Sequence, residues 1–117
     1  MSVSESYREY VVDQLGRIVA VTTRHMFGGV GIYGPGLFFA LIADDRLYFK
    51  VDDSNRGEFA ERGMGPFMPF GDSQVMQYYE VPGDVLDDLD GLESWVAKAL
   101  IVARAKRTKK AQRAKRR

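Results

Sequence analysis

The sequence predicts one α+β domain, a two-layer fold in which helices cover one side of an antiparallel sheet, in the order α-β-β-β-α-β-β-α. Three observations predict this class. A chain of 117 residues that is 45% apolar can bury one hydrophobic core. Apolar residues recur at helical spacing near both ends of the chain. Between them, short apolar segments alternate with turn residues, which is typical of strands joined by hairpins.

The first element is predicted to be an amphipathic helix. Ser2 and Glu5 have the S-x-x-E spacing of a capping box, which satisfies free backbone N–H groups at the start of a helix. Gly16 is a candidate end, although the apolar pattern continues to Val19. Residues at intervals of three and four define the apolar stripe: Val3, Tyr7, Val11, Leu15 and Ile18.

The segment from 21 to 51 is predicted to form three strands joined by tight hairpins. Glycines and Pro35 interrupt its apolar runs, and Asp44 with Asp45 separates the last two of them. Gly, Pro and Asp are the residues that tight turns require, so each interruption indicates a reversal of the chain.

A short helix and two more strands are predicted next. Asp52 or Asp53 can cap the helix and Gly63 can end it. The strands, at 67–70 and 75–81, flank a loop of hairpin composition.

The last element is predicted to be a helix that extends beyond the core. Pro82 opens a turn or a short helical segment, and Asp90 with Glu93 can cap the helix that follows. Past Ala103 the apolar stripe ends while helix-forming residues continue, so the tail is predicted to be either a helical extension or disordered. We therefore assign residues 1–103 to the domain and 104–117 to a tail. The stripe consists of Leu92, Trp95, Val96, Ala99, Leu100 and Ala103.

The tail carries the clearest sign of a partner. Residues 1–103 have eight Lys or Arg against sixteen Asp or Glu, whereas the tail has nine cations and no acid. Such a segment predicts salt-dependent, sequence-independent contact with DNA or RNA, and without an aromatic residue it does not predict stacking on unpaired bases. The alternative is a solubilising end that has no nucleic-acid role. The candidate nucleic-acid-binding residues are Arg104, Lys106, Arg107, Lys109, Lys110, Arg113, Lys115, Arg116 and Arg117.

A second candidate surface is the segment formed by Met26, Phe27, Gly28 and Gly29. Met and aromatic side chains are common both in cores and at the centres of interfaces. Most of the Met and Phe residues are expected in the core, and this segment is the candidate contact for a protein partner or for a second copy of the chain.

The sequence predicts no catalytic residue, no cofactor and no metal site. Residues 29–34 match G-x-G-x-x-G, but a dinucleotide site needs a helix directly after the glycines, and here another strand is predicted. His25 is the only histidine and there is no cysteine, so neither a nucleophilic triad nor a thiolate metal site is expected. The aspartates have turn and helix-start positions, where they commonly cap. We therefore expect a protein that is not an enzyme.

The composition also predicts a cytoplasmic location. The chain has no cysteine for disulfides, and its start shows no basic segment followed by an apolar one. The longest apolar run, at 37–43, is far too short to span a bilayer. No membrane association is expected.

Several segments in series resemble the N-terminal domain of the TfoX/Sxy family of competence regulators. They are residues 24–33 (RHMFGGVGIY), 38–53 (FFALIADDRLYFKVDD), 63–67 (GMGPF) and 77–82 (QYYEVP), followed by Trp95. The resemblance implies a two-layer α+β fold of the secretion-chaperone-like type and a role in transcription regulation beside the cyclic-AMP receptor protein. It implies no catalytic residues. Full-length members carry a second, helical domain, so this chain is expected to be a stand-alone form with a basic tail in its place.

Three functions follow as hypotheses. The first is a regulatory interaction module whose tail contacts nucleic acid. The second is a protein-binding or homodimeric accessory module without a nucleic-acid role. The third is an enzyme or a small-ligand-binding protein, for which the sequence offers no constellation of residues.

Overall fold

The computed structural model describes residues 3–26, 28–68 and 77–115, and for 109–115 it describes the helical backbone. The predicted α+β class is confirmed, since five antiparallel strands form one sheet in the order β1-β2-β3-β4-β5 and helices pack against it. The elements are α1 (Glu5–Gly16), β1 (Thr22–Met26), β2 (Gly29–Gly34), β3 (Leu37–Ala43), β4 (Arg46–Lys50), α2 (Arg56–Glu61), β5 (Tyr78–Glu80), α3 (Gly83–Asp87) and α4 (Leu89–Lys115).

The segment from 21 to 51 forms four strands, one more than predicted. The additional strand is β1, whose residues are mostly exposed and lack the apolar alternation of a half-buried strand. It is also the outermost strand of the described sheet, paired only with β2. Gly28, whose φ is 77°, lies in the tight turn after which Gly29 pairs with Met26. A strand with one neighbour and little burial leaves a weak signal in the sequence.

The helix starts differ from the predicted caps. Ser4 is the N-cap of α1, and its hydroxyl accepts a hydrogen bond from the Tyr7 N–H at 3.3 Å. Asn55 is the N-cap residue of α2, although its side chain does not cap this helix: its Oδ1 accepts the Asp52 N–H and its amide donates to the Lys50 carbonyl. The side chain of Asp52 accepts hydrogen bonds from Ser54 instead of capping. These local turns compete with capping, which sequence spacing alone does not resolve.

The second half of the sheet is described in part. β5 is the described portion of the strand predicted at 75–81. Of the strand predicted at 67–70, Phe67 donates its N–H to the Tyr78 carbonyl at 2.7 Å, and Pro66 bridges to Tyr79 in antiparallel fashion. Met68 is exposed and is not part of a strand, and residues 69 and 70 of this prediction, with the loop after them, lie outside the described residues.

The core lies between the sheet and the helices. Val11 and Leu15 of α1 are fully buried there, and Phe59 of α2 is only 2% exposed. Ring contacts continue this layer, with Phe39 and Phe49 5.8 Å apart and Phe59 and Trp95 4.6 Å apart between centroids. One hydrophobic cluster thus joins all four helices to one face of the sheet.

A β-bulge in β3 divides its side chains between the two faces. Ile32 pairs with Ala40 and Tyr33 pairs with Phe38, so Phe39 is an additional residue on β3. Phe39 and Ala40 both lie in the core cluster, whereas Phe38 packs on a smaller cluster of strand residues. This second cluster lies on the opposite face and contains no helical residue among those described.

Candidate interaction surface

Helix α4 serves both the core and the candidate nucleic-acid surface. Its first half is buried against the sheet, through Leu92, Val96, Ala99, Val102 and Ala103. Every residue from 104 to 108 is exposed, and the helix continues without a break to Lys115. Residues 104–115, which we call the basic end of α4, therefore form a helical extension of about 18 Å at 1.5 Å per residue.

The described cations of the basic end have no ion-pair partner among the described residues. The six described ion pairs use Arg8, Arg17, Arg46, Arg56, Arg62 and Lys98, all before the basic end. Arg104, Lys106 and Arg107 are exposed and do not take part in these pairs. Six cations of the acidic body are thus paired, while those that begin the basic end are available to a polyanion. Of the other predicted residues, Lys109, Lys110, Arg113 and Lys115 lie on the helical backbone, and Arg116 and Arg117 lie outside the described residues.

The basic end begins beside the β2–β3 hairpin. A Cβ atom at Gly36, in the turn of this hairpin, would lie 4.0 Å from a guanidinium nitrogen of Arg107. Lys106 is close enough to Lys50, at the end of β4, to act on its charge. Burial, and secondarily Lys106, lower the pKa of Lys50 to about 8. The cations of α4 therefore extend the positive charge of this end of the sheet.

The segment from Met26 to Gly29 is exposed in part. Met26 is half-buried and Gly28 is exposed, while Phe27 lies outside the described residues. Gly29 is buried, and a Cβ there would collide with the Ile42 carbonyl oxygen, so this glycine permits close approach of β2 and β3. Met26 lines a small, partly open groove. The other lining residues are Gly29, Val30, Leu41, Ile42, Ala43 and Phe67.

The glycine motif lies within strand β2 and is followed by a turn and by β3. Its glycines leave room for neighbouring side chains: a Cβ at Gly31 would contact the Met26 side chain, and one at Gly34 would contact the ring of Phe39. His25 is exposed on β1. In the part of the chain that the structure describes, no three His, Cys, Asp or Glu side chains are grouped as metal ligands. No described helix is long and apolar enough to cross a membrane.

A surface that the sequence did not predict lies on the sheet face opposite the helices. We call it the aromatic–basic face and define it by Arg24, Tyr33, Phe38, Lys50 and Tyr78. The rings of Tyr33 and Phe38 are stacked with centroids 5.1 Å apart and an interplanar angle of 24°, and Phe38 lies 5.6 Å from Tyr78. The Lys50 ammonium lies 5.1 Å from the Phe38 centroid and 5.6 Å from that of Tyr78. Burial raises the pKa of Tyr78 above its ordinary value, with a smaller contribution from Tyr33.

Arg24 joins this face through the strand register. It opposes Gly31, and directly opposed residues of antiparallel strands point to the same side of the sheet. The Cβ position of Gly31 faces Phe38, which fixes that side. Aromatic residues on β2, β3 and β5 were the available signal, but the bulge at Phe39 hides their common face.

The comparisons with known proteins support a single relationship. The search of curated proteins gave no match. The family model for the TfoX N-terminal domain matches residues 13–103, which contain strands β1 to β5 and the buried half of α4. Because the match covers most of the sequence, this chain belongs to the TfoX N-terminal domain family.

Proposed function

We propose that the protein is a regulatory interaction module without catalytic activity, which contacts nucleic acid through the basic end of α4. One observation carries the proposal: an unbroken helix leaves the core at Ala103 and then presents exposed cations that no described carboxylate pairs. Membership of the TfoX N-terminal domain family supports a regulatory type of module.

The expected contact is electrostatic. Lysine and arginine side chains that approach phosphates release condensed counterions, so affinity falls steeply as salt rises and depends little on sequence. The acidic body works against close contact elsewhere, since residues 1–103 carry twice as many acids as Lys and Arg. Nucleic acid should therefore meet the module at the basic end of α4.

A protein partner completes the proposed role. The family resemblance points to transcription machinery, with the cyclic-AMP receptor protein as the first partner to test. On this protein, Met26 and Gly28 are the described members of the candidate contact segment that are not buried, and Met26 lines the apolar groove. We place this activity in the cytoplasm.

The test is binding to labelled duplex DNA of about 20 base pairs, measured from about 50 to about 200 mM salt. Replacing Arg104, Lys106 and Arg107 with glutamine removes three positive charges and preserves helix propensity. We expect a loss of affinity of about tenfold or more at low salt and a salt dependence that is shallower by roughly 0.9 for each phosphate contact removed.

The matched control replaces Arg8, Arg17 and Arg62, which lie in body ion pairs, with glutamine. It changes the net charge by the same amount at other sites. Equal losses of affinity in both triple variants, or no loss in the first, would refute the role of the basic end.

The second candidate is a protein-binding or homodimeric module with no nucleic-acid role. Two observations favour it: β1 is unpaired on its outer side within the described sheet, and cations near the end of α4 also stabilise the helix dipole. Light scattering after size-exclusion chromatography separates the two candidates. A dimer that persists in nuclease-treated samples, together with no DNA binding at low salt, would favour the second.

A further inference from the structure

We propose that the aromatic–basic face binds single-stranded nucleic acid, with unpaired bases stacked on Tyr33 and Phe38 and the backbone directed along Lys50 toward the basic end of α4. This inference rests on the proposed function and specifies its ligand. The chemistry it needs is an aromatic surface for bases next to cations for phosphates, and the structure brings both to one end of the sheet.

The rings lie close together on this face. Tyr33 and Phe38 are cross-strand partners on β2 and β3, their rings are stacked on each other, and both residues are half-buried, so neither is fully withdrawn from solvent. Tyr78 is buried beneath and supports Phe38 from β5. Neighbouring aromatic side chains on an open sheet face are the means by which several unrelated folds stack successive bases.

The cations of this face are the two in residues 1–103 that have no ion-pair partner among the described residues. Of the eight Lys and Arg in residues 1–103, six lie in the described ion pairs. The remaining two are Arg24 and Lys50, and both lie on the aromatic–basic face. Arg24 lies on this face by strand register, and Lys50 lies over the rings of Phe38 and Tyr78.

The environment of Lys50 also indicates an anionic ligand. Its ammonium is half-buried over two rings, and the charge that lowers its pKa in addition to burial is that of another cation, Lys106. Burial and this repulsion lower its pKa, so a phosphate placed between the two lysines would relieve an unfavourable arrangement. The first turn of the basic end lies next to it, which connects the two surfaces.

A duplex cannot use the rings, because its bases are stacked inside and their faces are covered. An unpaired strand can use both the rings and the cations. Stacking does not read the 2′-hydroxyl group, so DNA and RNA strands of similar bases should bind alike.

The experiment compares labelled thymidine and uridine oligomers of about 12 nucleotides, a length within the range of known single-strand sites, with duplex DNA of equal length. Binding is followed by fluorescence anisotropy at fixed salt on the full chain. We expect both single strands to bind more tightly than the duplex. We expect Tyr33→Leu and Phe38→Leu each to weaken single-strand binding roughly tenfold and to leave duplex binding unchanged.

Matched controls keep the result interpretable. Tyr10→Leu removes an exposed tyrosine from α1, far from the sheet face, and should leave single-strand binding unchanged. Lys50→Gln should weaken it, whereas Lys98→Gln, which removes a lysine paired with Glu58, should not. Chemical-shift changes of the Tyr33 and Phe38 ring protons on adding the oligomer report stacking directly and do not depend on whether a variant folds.

The outcomes separate the two proposals. The tail variant here is the protein in which Arg104, Lys106 and Arg107 are replaced with glutamine. If it loses duplex binding while the ring variants bind single strands as the wild type does, the stacking site is refuted and the proposed function remains. If the ring variants lose single-strand binding while the tail variant binds normally, the stacking site remains and the role of the basic end is refuted. Absence of binding to every probe refutes both.

Discussion

Both faces of the sheet carry aromatic residues, but the surroundings of these residues differ between the faces. On the helix-covered face, Phe39 and Phe49 are completely buried and pack into the core. On the other face, Phe38 and Tyr33 are half-buried and lie beside Lys50. Phe38 and Phe39 are consecutive residues, so the contrast arises from a single step along the backbone. If the outer face binds nucleic acid as proposed, stability and recognition are divided between the faces, and each can be changed separately.

The largest expected effect tests this division within one pair of residues. Phe39→Ala should lower the free energy of unfolding by about 3–5 kcal/mol, because it leaves a cavity in a close-packed core. Phe38→Ala should cost less than about 2 kcal/mol, since part of its ring already contacts water. Urea denaturation of the two variants measures the difference. Similar losses would show that both faces are part of the core and that Phe38 has no separate role.

A smaller effect tests how closely β2 and β3 approach. Gly29→Ala should destabilise the protein by about 1–3 kcal/mol, because the new Cβ meets the rigid Ile42 carbonyl. The control is Gly57→Ala in α2, where no atom lies within 4 Å of the new Cβ. There alanine should be neutral or stabilising by up to about 1 kcal/mol, since glycine lowers helix propensity. Thermal unfolding of both variants shows whether each substitution lowers or raises the stability of the protein.

The smallest expected effect concerns the charge of Lys50, which lies on the aromatic–basic face. Its pKa is lowered to about 8 in the folded protein, below that of an unfolded lysine. The unfolded chain therefore binds more protons between these values, so this residue makes the protein more stable as pH rises from about 8 to about 10. Below this window its charge destabilises the fold. Lys50→Gln should gain about 1 kcal/mol or less at pH 7 and should lack the rise in stability.

Two measurements check the lysine prediction. NMR titration of labelled lysine side chains should show one resonance with a midpoint near the lowered pKa, and it should vanish in Lys50→Gln. In Lys106→Gln the midpoint should move upward, because one repelling charge is gone. A midpoint near that of ordinary lysines would contradict the half-buried placement of Lys50.

The fold class could be predicted because periodicity depends only on neighbouring residues. The stripes of α1 and α4 and the turn residues between strands are local signals. The aspartate pair is a clear case: Asp44 and Asp45 adopt φ values of 51° and 54°, as a two-residue hairpin of the primed type requires. β1 was missed because its strand character depends on pairing with β2 and not on its own pattern.

The aromatic–basic face could not be predicted because it depends on register. The run from Leu37 to Ala43 is apolar throughout, so alternation does not assign its residues to faces. The bulge at Phe39 then shifts Phe38 and Ala40 relative to an ideal strand. The absence of a described carboxylate beside Lys50 is likewise a property of the folded arrangement. By contrast, the tail's charge was evident from composition alone.

The continuity of α4 has a thermodynamic consequence. A single helix holds Val96 and Val102 in the core and carries the cations beyond them. Any polyanion that prefers the helical over the unfolded form of those last turns must, by linkage, favour the native state of the whole domain. Binding of a polyanion to the basic end of α4 would therefore raise the melting temperature of a core that the ligand never touches.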